Sequence, residues 1–312
     1  MKSVATITMN PAIDVSTSVD RMTPVHKLRC ANAQHDPGGG GINVARIVQK
    51  LGGDVTAVYP LGGATGQLLR RMVENEGIRG ATFEVRDETR LSFTVLESET
   101  GDEYRFVLPG PPLSVPEWQQ GIEELKRLAD RPGILVMSGS LPPGVPDDFY
   151  ARVARMAKDR GTKVVLDTSG PALSAALQEG MYLIKPNLRE LRELTGQALM
   201  DEKSWVEACR ALVDTGQAEV VALTLGDQGA LLVSRDAAVR ARALPIEPVS
   251  TVGAGDSFLG AMVWALAAGQ ELADAFRYGV AAGSAALITP GTELCHLDDV
   301  ERLYGQVIVQ SI

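Results

Sequence analysis

The chain has 312 residues, 45% hydrophobic and 22% charged, which suits one large α/β domain or two small ones. A formal net charge of −9 speaks against a nucleic-acid partner, and no run of about 18 apolar residues is present to span a membrane. Cys30, Cys209 and Cys295 lack the spacing of a disulfide framework or a zinc site, and His26, His35 and His296 are too scattered for a Ser-His-Asp triad. With Met1 to Ile7 running into a strand pattern rather than a signal-peptide apolar region, the expected setting is a reducing cytoplasm.

Val4 to Met9 reads as a buried first strand that Pro11 stops. Asp14, in Asn10-Pro11-Ala12-Ile13-Asp14, suits a turn and could also bond sugar hydroxyls. Val15 to Asp36 alternates polar and apolar residues without a helical period, predicting a small, half-exposed β element that carries Lys27 and Arg29. Next, Gly38, Gly39, Gly40 and Gly41 precede Ile42, Ala45, Val48 and Leu51 at helical spacing. These glycines let a ligand approach the backbone just before a helix, and Asn43 in its first turn can donate and accept hydrogen bonds. A dinucleotide loop would need G-x-G-x-x-G after a buried strand, and neither condition is met.

Val55 to Gly63 predicts a strand, Gly66 to Glu76 a helix and Ala81 to Val85 a strand. Leu91 to Leu96 and Tyr104 to Leu108 alternate about Glu97-Ser98-Glu99-Thr100-Gly101-Asp102, a hairpin signature. Together with the earlier alternating segment this gives a small sheet over residues 13–36 and 89–109, with Arg90 at its base as a ligand contact or a solvated charge. Such a sheet has edges and an apolar face to cover, by a ligand, a second subunit or both. After Pro112 strands are predicted at Ile134 to Ser138, Lys163 to Asp167, Tyr182 to Lys185 and Val220 to Leu225, with helices at Asp147 to Arg160, Pro171 to Gln178 and Leu188 to Thr195. This alternation implies a mostly parallel sheet with helices on both faces, a doubly wound α/β fold with ligands at the C-terminal strand ends. A short β segment, Ala230 to Val233, two apolar helices, Ser257 to Ala268 and Ala273 to Leu287, and a closing helix complete one domain over residues 1–312.

The strand ends carry the polar residues of interest. Gly139 follows the Ile134 to Ser138 strand, and Lys185-Pro186-Asn187-Leu188-Arg189-Glu190 follows another. Asn187 and Glu190, three apart on a helix, could hold a hydrated Mg²⁺ at one remove or form a capping box. Thr224-Leu225-Gly226 supplies a hydroxyl and a flexible turn for phosphate or merely for a loop. In Ser250-Thr251-Val252-Gly253-Ala254-Gly255-Asp256-Ser257, the small residues open a helix N-terminus to an anion. Asp256 there can cap the helix, or stay ionised near neutral pH and take the proton of a hydroxyl set before it. That second role suits phosphoryl transfer to an alcohol.

Taken together, Asn10 to Asp14, Gly38 to Arg46, Lys185 to Glu190 and Val252 to Ser257 resemble, in this order and over nearly the whole chain, the ribokinase-like (PfkB) carbohydrate kinases, in particular the minor-type bacterial 6-phosphofructokinases. The resemblance implies a doubly wound domain with a β lid, dimerisation through that lid, and ATP-dependent phosphorylation of fructose 6-phosphate at its 1-hydroxyl. It makes Asp256 the base, with Gly253, Ala254 and Gly255 as the anion hole, and Asp14, Gly39, Gly40, Gly41, Asn43 and Gly139 the sugar contacts. Lys27 and Arg90 would meet the sugar's phosphate, Lys27 also nearing ATP; Lys185, Asn187, Thr224, Gly226, Gly229 and Ser284 would hold the nucleotide. Asn187 and Glu190 would govern Mg²⁺, and Ser250, Val252, Ala286, Thr289, Gly291 and Glu293 would surround K⁺, mostly through backbone carbonyls. Gly40 stands where fructose-1-phosphate kinases of this group carry lysine, which favours fructose 6-phosphate. Tagatose-6-phosphate kinase, 1-phosphofructokinase and a catalytically silent sugar-phosphate sensor are the alternatives.

Overall fold

The computed structural model describes residues 1–128 and 131–312. The chain opens with strands β1 (Val4–Ile7), β2 (Ala12–Val19) and β3 (Gln34–Gly38), then helix α1 (Gly40–Lys50), strand β4 (Val55–Gly62), helix α2 (Gly63–Asn75) and strands β5 (Arg79–Val85), β6 (Arg90–Glu97) and β7 (Glu103–Val107). Helix α3 (Val115–Arg127), strand β8 (Ile134–Ser138), helix α4 (Phe149–Lys158), strand β9 (Lys163–Asp167), helix α5 (Gly170–Leu177) and strand β10 (Met181–Ile184) follow. The remainder is α6 (Leu188–Thr195), α7 (Glu202–Asp214), β11 (Ala218–Thr224), β12 (Ala230–Ser234), β13 (Ala238–Ala241), α8 (Ala254–Ala267), α9 (Leu272–Leu287), α10 (Leu297–Tyr304) and β14 (Val309–Ser311).

Among the described residues the main sheet has the order β14-β13-β12-β11-β10-β9-β8-β1-β4-β5. From β5 to β11 every pairing is parallel, while β12, β13 and β14 add an antiparallel edge. Successive side chains of a strand face opposite ways, so the sheet feeds two cores. Val4, Ile134 and Val136 pack with α1, α2, α8, α9 and α10, whereas Ile7, Leu135 and Met137 pack with α3, α4, α5 and α7. After β1 the chain builds outward through β4 and β5; after β8 it builds the other way. The C-terminal ends of β1 and β8 therefore flank a topological switch point, the place where an open α/β sheet leaves a crevice for a ligand.

A second sheet has the order β3-β2-β6-β7. Several expectations change here. β1 already ends at Ile7, and Pro11 does not stop extended structure, because its fixed φ suits the approach to β2 at Ala12. Asp14 consequently lies inside a strand, paired with Asp36 and Ser92, and not in a turn. The expected β element over 15–36 is two strands separated by irregular chain at 20–33. Helices α3 and α7 were absent from the expectation although each begins with a capping box, Ser114 with Glu117 and Asp201 with Ser204.

The small sheet is anchored to the body by a buried charge. Arg46 of α1, 3% exposed, places Nη2 3.2 Å from Asp36 Oδ1 and Nε 2.8 Å from Glu76 Oε1. Its Nη1 donates to the Pro37 carbonyl. Removing a guanidinium with so many partners strands two carboxylates. Arg46→Met is expected to cost about 2–4 kcal/mol of stability, at the low side for a buried pair because Asp36 and Glu76 keep some access to water. Urea unfolding measures this, and a loss well under about 1 kcal/mol would show the anchor to be dispensable.

Candidate active site

The site grows out of two helix N-termini that converge on the switch point. Helix α1 can approach because Gly40 and Gly41 have no side chain: a Cβ on Gly40 would stand 2.3 Å from Ser138 Oγ, and one on Gly41 2.5 Å from Thr8 Oγ1. That approach lets Asn43, in the first turn of α1, donate from Nδ2 to Asp256 Oδ2 at 2.8 Å. Asp256 sits in the first turn of α8, whose cap Gly253 takes the left-handed φ of 71°. Both helix ends direct unpaired amides and positive dipole toward the crevice.

Behind the start of α8 lies a pair that the sequence reading did not assemble. Lys185 Nζ is 3.1 Å from Asp167 Oδ2, and it lies 3.3 Å from where a Cβ on Gly255 would stand. Burial pushes the Lys185 ammonium toward neutrality, but the carboxylates of Asp167 and Asp256 outweigh that and hold its pKa above the usual lysine value. Only the three-dimensional meeting of adjacent strand ends reveals the pair.

Asp256 titrates above the ordinary carboxylate value because burial disfavours its charge; the Asn43 hydrogen bond and Lys185 work against that, and Asp14 adds to it. The expectation that Asp256 stays ionised near neutral pH beside the helix amides left out this opposing effect of burial. Asp14 is also raised by burial, with Arg90, Arg105 and Arg46 pulling it down. Arg90 Nη1 donates to Ser92 Oγ and the Leu108 carbonyl, and Nη2 to the Asn10 carbonyl, while Nε has no partner among the described residues. Arg105, two residues along β7 from Glu103, was missed; the strand's alternation was the signal that could have found it.

Gly139, at φ 103°, closes the crevice beside Gly40, with its carbonyl held by Tyr150 Oη and Thr168 Oγ1 at 2.9 and 3.0 Å. Gly39 caps α1 at φ 105°. Thr8 Oγ1, Asn10 Oδ1 and Asn43 Oδ1 are buried near this glycine run without a hydrogen-bond partner among the described residues. On the other side, Asn187 caps α6: its Oδ1 accepts from Glu190 N, and Glu190 Oε2 accepts from Asn187 N, both at 2.9 Å. The capping box is thus formed, leaving Asn187 Nδ2 and Glu190 Oε1 for other work. Thr224 bridges to Asn187 in the backbone, and Gly226 and Gly229 border a single 3₁₀ turn over Gly226–Gln228. Ser284 is half-buried on α9, next to Gly283, which packs against Ala254.

Around the loop before α8, Ser250 Oγ donates toward Glu103 Oε1 at 2.9 Å, lies 3.2 Å from the Gly291 carbonyl, and accepts from Val252 N. Gly291 has φ 63°, Thr289 Oγ1 donates to the Ala285 carbonyl, and Ala286 is buried. Glu293 instead faces His296 Nε2 at 3.2 Å. Among the described residues no group of three or more His, Cys, Asp or Glu side chains could hold a metal ion. Lys27 is exposed in the irregular chain at 20–33, and among the described residues its side chain makes no hydrogen bond or ion pair.

A glycine-opened helix end facing an aspartate on a second helix end, with a buried lysine behind, is the arrangement expected for phosphoryl transfer to an alcohol. The chain belongs to the pfkB family of carbohydrate kinases, whose sequence profile matches residues 3–299. It is 48% identical over 301 residues to the ATP-dependent 6-phosphofructokinase isozyme 2 of Mycobacterium tuberculosis, covering 96% of this chain and 88% of that protein. Crystal structures of phosphofructokinase-2 from Escherichia coli superpose closely. The complex with potassium has a TM-score of 0.94 at 41% identity, and the complex with fructose-6-phosphate 0.92 at 40%, each covering 98% of this chain and 99% of the other.

Since the folded-state pKa of Asp256 exceeds that of the unfolded chain, the fold holds its proton more tightly, and ionising it removes stability as pH rises from the unfolded value through the folded one. Asn43→Ala deletes a donor to the charged form, so the Asp256 pKa is expected to rise further. A carboxyl ¹³C titration of Asp-labelled protein follows this; an unchanged or lowered value would show that the Asn43 bond does not support the carboxylate.

Proposed function

We propose that this chain is an ATP-dependent 6-phosphofructokinase that moves the γ-phosphoryl group of ATP to the 1-hydroxyl of fructose 6-phosphate, giving fructose 1,6-bisphosphate and ADP. The observation that carries the reading is the Asn43–Asp256 bond between the first turns of α1 and α8, because it fixes a carboxylate at the mouth of an anion-binding helix end. Asp256 takes the hydroxyl proton as the oxygen attacks phosphorus. The amides of Gly253, Ala254 and Gly255 receive the charge of the transferring group, aided by Lys185 behind Gly255. Asp14, Asn43, Gly39, Gly40, Gly41 and Gly139 hold the sugar, and its hydroxyls supply partners for the orphaned Thr8, Asn10 and Asn43 oxygens.

The small sheet over residues 13–36 and 89–109 serves as a lid on this one-domain body. Arg90 meets the sugar's phosphate, and Lys27 reaches it or ATP when the lid pairs with that of a second subunit in a homodimer. Exposed Tyr104, Phe106, Val107 and Leu108 on the β7 edge support such pairing. The absence of room at Gly40 for a side chain disfavours the lysine of fructose-1-phosphate kinases.

Lys185, Asn187, Thr224, Gly226, Gly229 and Ser284 line the nucleotide side. Mg²⁺, once bound with the nucleotide, neutralises phosphate charge; Glu190 Oε1, free of the capping box, fits it through water, with Asn187 orienting that carboxylate. K⁺ fits the loops at 250–252 and 286–293. Among the described residues the carbonyls of Ser250, Val252 and Thr289 accept no hydrogen bond, and Gly291, Ala286 and Glu293 complete the ring by backbone. No described helix is long and apolar enough to cross a membrane, and the three cysteines are free, in keeping with a cytoplasmic enzyme.

Asp256→Asn is expected to keep ATP and sugar binding within severalfold while lowering kcat by roughly 10² to 10⁴; near-normal turnover would remove Asp256 from the base role. Loss of a contact to a charged group costs about 1.5–3 kcal/mol, so Arg90→Ala should raise KM for fructose 6-phosphate at least about tenfold and KM for ATP much less. The decisive comparison is kcat/KM for fructose 6-phosphate, tagatose 6-phosphate, fructose 1-phosphate and fructose. A wild type that prefers fructose or fructose 1-phosphate, or an Arg90→Ala that penalises all four alike, would overturn the assignment.

A further inference from the structure

Side chains alternate along a strand, so Glu103 and Arg105 leave the same face of β7. The pairing register carries that face across the small sheet through Ser92 and Thr94 to Asp14 and Ser16, and on to Asp36. That face meets loops of the body, while the opposite face packs Ile13, Val15, Leu91 and Phe93 onto the body's core. Asp36 Oδ2 accepts from Thr292 Oγ1 at 2.7 Å, and Ser16 Oγ lies 2.9 Å from where a Cβ on Gly291 would stand. At the opposite edge, Glu103 Oε1 accepts from Ser250 Oγ at 2.9 Å. The sheet thus meets two adjoining loops at both of its edge strands, and Ser250 Oγ, 3.2 Å from the Gly291 carbonyl, joins those loops.

These two contacts differ in kind. Asp36 is also bound to buried Arg46, which ties its edge to α1. Glu103 has Ser250 as its one side-chain partner among the described residues, and it lies on the outer strand, held to the sheet by β6 alone. Ser250 is buried at 4% exposure and also accepts from Val252 N, the amide just before the Gly253 turn. One hydroxyl therefore touches both the outer edge of the sheet and the segment that leads into α8.

We infer that Glu103 is a positioning residue: its hydrogen bond to Ser250 holds the β7 edge against the loop before α8 and so sets Arg105 over the sugar-phosphate end of the crevice. Arg105 needs such an anchor because it is exposed and has no side-chain partner of its own among the described residues. The register sets it on the face that carries Asp14 and Ser16, opposite Thr94, which in turn pairs with Ser16. Accepting the bond requires an oxygen at Oε1, not a negative charge, so Glu103→Gln preserves the contact and Glu103→Met keeps the length but loses it.

The inference rests on the kinase reading for its ligand, and the test separates the two. Calorimetric binding of fructose 6-phosphate is measured for wild type, Glu103→Gln, Glu103→Met, Ser250→Ala and the Glu103→Met/Ser250→Ala double variant. Amide exchange of Glu103 to Val107 is followed in the same proteins without ligand. Glu103→Met is expected to weaken sugar-phosphate binding about five- to tenfold, with ATP binding within about twofold, and to speed exchange along β7. Glu103→Gln should stay within about twofold of wild type in both measurements, and Glu103→Met should add less than about twofold once Ser250 is Ala. If Met behaves as Gln does, Glu103 acts only by packing and the inference fails. It fails equally if Glu103→Met has its full effect in the Ser250→Ala background. A wild type that prefers another sugar phosphate corrects the substrate instead; the exchange data, which need no ligand, still decide the role of Glu103.

Discussion

Everything at the crevice depends on how closely helix α1 can lie against the ends of β1 and β8. With side chains at Gly40 or Gly41 the helix would have to back away from Ser138 and Thr8, since the contacts would fall to 2.3 and 2.5 Å. Asn43, one turn further on, would withdraw with it, and its 2.8 Å bond to Asp256 would open. Asp256 would then keep the burial that disfavours its charge and lose the donor that chiefly offsets it. Close backbone packing is in this way converted into an ionisation state, through a single amide side chain. Helix amides alone do not do this, because the desolvation they must overcome comes from the same packing.

The direction of α1 is set in turn by the sheet. The crossover from the β1 end to β4 places it over the sheet face shared with α8, and Gly260 of α8 lets the two helices touch, with a would-be Cβ 2.6 Å from Ile47. Before that crossover the chain detours through β2 and β3. The detour is why Asp14 and Asp36 stand on one small sheet beside the crevice, and why Arg46 of α1 can bind Asp36. The same short helix that brings Asn43 to Asp256 also ties down the sheet that carries Asp14. A displacement of α1 would disturb both sides of the site.

Much of this was legible in the residues, and the failures have physical reasons. Continuous apolar strands such as Ile134 to Met137 and Val220 to Leu223 announced a sheet buried on both faces, and the glycine runs announced helix starts open to anions. Helices α3 and α7 carried readable caps at Ser114 and Asp201, so their omission was a failure of reading. Strands β13 and β14 are different: they are short, and β14 gains its identity only by pairing with Val239 to Ala241, far back in the chain. Asp14 was misplaced because Pro11 reads as a strand stop, whereas its fixed φ is compatible with the extended chain that enters β2 at Ala12. The Lys185–Asp167 pair and the Glu103–Ser250 bond join separate elements, and local pattern holds no record of such meetings. Lys27 lies in the irregular chain at 20–33, so its expected role comes from the family resemblance and not from local pattern.

An acidic chain that receives two phosphorylated ligands must keep some cations uncommitted, and the distribution of ion pairs shows where. Arg46, Arg70, Arg79, Arg155 and Arg240 are each matched to a carboxylate, as is buried Lys185. Arg90 is bonded only to carbonyl and hydroxyl oxygens, and Arg105 to no side chain among the described residues. Both therefore bring nearly their whole charge to an incoming anion, whereas Lys185 can do so only by sharing with Asp167. Of these residues, the two without a carboxylate partner sit on the small sheet, at β6 and β7, and Lys185 sits in the main body behind the anion-binding helix end. An anion in the crevice would therefore be drawn more strongly to the cations of the sheet than to Lys185, whose charge Asp167 already offsets.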